Sequence, residues 1–99
     1  MKKFANYLVS TFSEDEVIFD LSKLDELLGI CYNVLIEHIN NNTATLQYYT
    51  IYQHLLVAKN LKDSLSIYGG DYSFEYRMLD NAINENIAEA IELANEIIK

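Results

Sequence analysis

Ninety-nine residues and 11.4 kDa fit one domain and leave no length for a second core. Hydrophobic residues make up 51% of the chain against 22% charged, which excludes a disordered polymer, and a single cysteine excludes an internal disulfide. Seven Lys+Arg against fifteen Asp+Glu give a formal charge of −8, which repels phosphate backbones and anionic lipid, so direct nucleic-acid binding is not expected.

Zero prolines and three glycines leave few breakers, and apolar residues recur at steps of three and four rather than two, so the chain reads as almost entirely helical. Phe4, Tyr7, Leu8 and Phe12 (or Thr11) follow that spacing and predict a short first helix over 3–12. Residues 13–21 are read as a connector: Ser13-Glu14-Asp15-Glu16 has the form of a capping box, but Val17-Ile18-Phe19 is an unbroken apolar run. Met1-Lys2-Lys3 leads into Asn6, Ser10 and Thr11 rather than a continuous apolar segment, and no run approaches the ~18 residues of a membrane span, so a cytoplasmic location is expected.

Ser22 followed by Asp25 marks a helix start, and Leu24, Leu27, Leu28, Cys31, Leu35 and Ile39 line one stripe of a helix over 22–40. Ile30, Tyr32, Val34 and Ile36 widen that stripe, the pattern of a central helix packed on two sides. Asn40-Asn41-Asn42 tolerates the left-handed turn conformation, and Thr43 or Thr45 is positioned to cap the next helix. That helix runs from Leu46 to Tyr68, with Tyr48, Ile51, Leu55, Ala58, Leu61, Leu65 and Tyr68 in step, and Gly69-Gly70 ends it. Asp71 or Ser73 caps the last helix, whose seam is Tyr72, Tyr76, Leu79, Ile83, Ile87, Ala90, Ala94 and Ile97. Short turns between long helices give antiparallel neighbours, so the expected fold is all-α: an up-down bundle of three long antiparallel helices plus a short N-terminal one, a single domain over 1–99.

Cys31, His38 and His54 are the only soft ligands, and all three fall in apolar stripes. A turn centred near 42–43 sets residue 31 level with about 54 and 38 level with about 47. His38 then lies ~10.5 Å along the axis from Cys31, too far to share one ion at bonds of ~2.0–2.3 Å, so no metal site is expected. Cys31, mid-helix among Leu and Ile, lacks the cationic partner that makes a reactive thiolate. There is no G-x-S-x-G turn, no phosphate loop and only one arginine, Arg77. No catalytic residue and no cofactor is expected.

Two features remain. Tyr48-Tyr49-Thr50-Ile51-Tyr52 is the densest aromatic stretch, with Tyr48 on the core side, Tyr49 and Leu56 on the far side and Tyr52 between. That far face either packs on the N-terminal helix or is exposed, and exposed tyrosines are enriched at interfaces. Glu85, Glu89, Glu92 and Glu96 step by four, three and four, which gathers them within about 60° of arc opposite the seam. Each step is a like-charge pair costing ~0.2–0.5 kcal/mol, and the last two sit where the helix dipole disfavours anions. Residues 78–98 contain no Lys, Arg or His. Four carboxylates over ~16.5 Å approach the linear anion density of a nucleic-acid strand.

The expected function is that of a non-catalytic protein that covers the basic groove of a nucleic-acid-handling partner, with Glu85, Glu89, Glu92 and Glu96 in place of phosphates and Tyr49 and Tyr52 as rim contacts. Small phage-encoded nuclease inhibitors and anti-CRISPR proteins share its size and charge, though no motif. The alternative is a self-associating helical module or immunity-type protein that recognises its partner, or a second copy of itself, through Tyr49, Leu56, Ile67 and neighbouring apolar surface.

Overall fold

The computed structural model describes residues 1–12, 21–65 and 74–99, and in these the chain is helical with no strand. Helix α1 spans Lys2–Thr11, a 3-10 turn at Leu21–Lys23 leads into α2 (Leu24–Asn40), and α3 (Leu46–Leu65) and α4 (Phe74–Ile98) follow. Ser22 therefore lies in the 3-10 turn rather than at the helix boundary: Lys23 occupies the N-cap of α2 without a side-chain cap bond. The connector 13–20, the predicted extension of α3 to Tyr68, the Gly69-Gly70 stop and the Asp71 or Ser73 cap lie outside the described residues, as do Ile67 and Tyr72.

The α2–α3 turn is resolved atom by atom. Asn42 adopts φ 57°, the left-handed conformation that asparagine tolerates better than most side chains. The Thr43 N–H then donates to the His38 carbonyl at 2.8 Å and the Asn42 N–H to that of Ile39 at 3.1 Å, the two bonds of a Schellman ending. Thr43 faces back to α2, its hydroxyl meeting His38 Nδ1 at 2.6 Å, while the Thr45 carbonyl accepts from Tyr48 and Tyr49 to open α3.

Cross-helix contacts set direction and register. On the α2–α3 seam, Asp25 approaches Lys59 and Lys62, Tyr32 meets Tyr52, and His38 meets Tyr48, so the start of one helix lies beside the end of the other. This is the expected register, with residue 38 nearly level with 47. On the α3–α4 seam, Gln47 meets Glu96 and His54 meets Asn86, again in opposite directions. Helix α1 packs on α4 and more lightly on α2, where Tyr7 donates to Glu26.

The helices thus follow one another around a common core, with α2 across from α4 and α1 across from α3. Phe4, Ala5, Leu8, Phe12, Leu24, Leu27, Cys31, Ile51, Leu55, Ala58, Ile83, Ile87, Ala90 and Ala94 form that core, most of them fully buried. The most extensive seam joins α3 to α4, where Ala58, Ala90 and Ala94 allow close approach. This corrects the expectation that 22–40 is the central helix. Of its extra apolar residues, Ile30 and Val34 pack against the core, but Tyr32 is 50% exposed and Ile36 is exposed too, as is Ile39 of the main stripe. Periodicity measures the width of an apolar stripe, not what covers it.

Candidate partner-binding surfaces

The four glutamates predicted as a ridge lie on one face of α4, all exposed, with Ile83, Ile87, Ala90 and Ala94 buried on the opposite face. Their arrangement follows from helical spacing alone: the residues that fill the core take steps of three and four, and the acids take the same steps half a turn away. Gln47 donates to Glu96 Oε2 at 2.9 Å, a neutral amide that leaves the carboxylate charge in place. Among the described residues, no Lys, Arg or His lies within ion-pair distance of any of the four.

Three of the seven Lys and Arg side chains pair with acids on α2 and α3. Lys23 pairs with Glu26 at 3.7 Å, Lys62 with Asp25 at 3.8 Å, and Lys59 with Asp63 at 2.6 Å and Asp25 at 3.9 Å. The hydrogen bond to Asp63 pushes the Lys59 ammonium above its ordinary pKa of 10.5. Among the described residues, the ion pairs of Lys23, Lys59 and Lys62 involve acids of α2 and α3 and none of the four glutamates on the outer stripe of α4. Carboxylates spaced within a Debye length of about 10 Å add their fields.

Sequence reading missed the other end of that stripe. Phe74 and Met78, 72% and 56% exposed, precede Glu85 by steps of four and seven and so share its face of α4. Their signal was present in the spacing but was masked by the parallel seam of Tyr76 and Leu79. The outer stripe of α4 is therefore apolar at its start and acidic beyond.

Tyr49 and Tyr52 are not brought to the ridge. Tyr49 is 46% exposed and, with Tyr52, Gln53 and Leu56, lines a shallow depression of about 250 Å³. The Tyr52 ring tilts against Tyr32 of α2 at 5.9 Å, whereas Gln47 and His54, on the other side of α3, reach α4. Of the two placements open for this far face, exposure holds, because α1 packs on α4 and α2 instead.

The three soft ligands are held apart. Burial pushes the Cys31 thiol up to about 12 from 9.0. Although Cys31 is level with His54, the imidazole turns to α4, where its Nδ1–H donates to Asn86 Oδ1 at 2.8 Å. His38 Nε2 accepts from the Met1 amino group at 3.0 Å, its Nδ1–H donates to Thr43, and its ring edge meets Tyr48 at 4.9 Å. No group of three His, Cys, Asp or Glu able to hold a metal ion occurs among the described residues. A groove of about 570 Å³ between α1 and α2 is lined by Phe4, Tyr7, Ile30 and Val34 with Lys3, Glu37 and His38. No helix among the described residues is long and apolar enough to cross a membrane.

Compared with known proteins, the chain matches no protein-family model, no curated protein and no solved structure.

Proposed function

We propose that this is a non-catalytic binding protein whose α4 stripe enters a basic groove on a nucleic-acid-handling partner and blocks it. The observation that carries this reading is the set of four exposed carboxylates, Glu85, Glu89, Glu92 and Glu96, without a basic partner among the described residues, in a chain whose Lys23, Lys59 and Lys62 pair with other acids. A row of like charges lowers the stability of its own helix, and a neutral or mixed face would avoid that cost.

In this reading the glutamates stand where phosphates of a strand would stand, and complementary charge steers the encounter and sets the orientation. Phe74 and Met78 supply what charge does not. Exposed apolar side chains at one end of the stripe give desolvated contact area, which governs how long a complex lasts once steering has formed it. The acidic chain itself is repelled by nucleic acid, so the partner is a protein and inhibition is by occupation of its groove.

The test is charge reversal on an exposed face, where folding is not at stake. Glu89→Lys with Glu92→Lys, compared with wild type for binding to a partner recovered from the native host, should remove both affinity and its salt dependence. Equal affinity with a flat salt response contradicts the reading.

A further inference from the structure

We draw no further inference here: the strongest candidate, the groove of about 570 Å³ between α1 and α2 lined by Phe4, Tyr7, Ile30 and Val34, carries nothing, because its lining offers both Lys3 and Glu37 and nothing in the structure shows what covers it.

Discussion

His54 on α3 and Asn86 on α4 meet across the most extensive seam of the fold, the imidazole Nδ1–H donating to Asn86 Oδ1 at 2.8 Å while Asn86 Nδ2 donates onward to the Ala82 carbonyl at 2.7 Å. Both side chains are half-buried, and the amide is satisfied on both its atoms. The bond fixes which ring nitrogen carries the proton and ties the middle of α3 to the middle of α4.

Asn86→Ala removes the acceptor and leaves a partly buried N–H without a partner. The expected cost is about 1–2 kcal/mol, or a fall in Tm of roughly 5–10 °C for a domain of this size. Thermal unfolding followed by circular dichroism measures it. A change below 1–2 °C would mean that water replaces the bond at no cost.

Gly29 lies in the interior of α2, exposed, and a Cβ added there meets no atom within 4 Å. Gly29→Ala should therefore raise stability by about 0.5–1 kcal/mol, because alanine restricts the unfolded chain without straining the folded one. Denaturant titration should show a higher midpoint with an unchanged slope; a lower midpoint would place something against Gly29 that the single chain does not contain.

Much of this fold was legible because helix periodicity and turn chemistry are local. The Asn42 turn, the α2–α3 register and the buried rows on α3 and α4 follow from neighbours within a few residues of one another. What covers a face is not local. Ile39 fits the α2 stripe as well as Leu35 does, yet Leu35 is buried and Ile39 is exposed, since the stripe outruns the helices available to cover it. Thr43 reads as a cap for α3 but serves α2, because its hydroxyl finds His38 once Asn42 turns the chain back. The acidic arc could be drawn from spacing, whereas the absence of ion pairs to it among the described residues depended on where the lysines of α2 and α3 point.

Cys31 provides a pH-dependent signature. Its folded pKa, about 12, exceeds the ordinary 9.0 through burial, so the folded state keeps its proton where the unfolded state loses it. The resulting stabilisation is fully present below pH 9 and is lost as pH rises from 9.0 toward about 12. Cys31→Ala should lose overall stability through its cavity but show a shallower decline across that window than wild type. In the native state the thiol should react with an aromatic disulfide reagent only as fast as the protein opens. Prompt reaction in native buffer contradicts the burial.

The acidic stripe makes a stability prediction independent of any partner. Glu92→Lys replaces a like-charge neighbour of Glu89 and Glu96 with an attractive one and puts a cation near the C-terminal end of α4. The variant should be more stable by about 0.5–1 kcal/mol at low salt, with the gain shrinking as salt is added. Equal or lower stability would show that the stripe costs the helix nothing, and the inference that stability was forgone for function would go with it.

The most direct test uses wild-type protein and the Glu89→Lys, Glu92→Lys double variant as immobilised baits in lysate of the native host, washed with rising salt and then challenged with duplex DNA or RNA. The account predicts a nucleic-acid-binding protein that is retained by wild type, released by salt or by added nucleic acid, and missing from the double variant. A prey held equally by both baits, indifferent to salt and to competing nucleic acid, would contradict it.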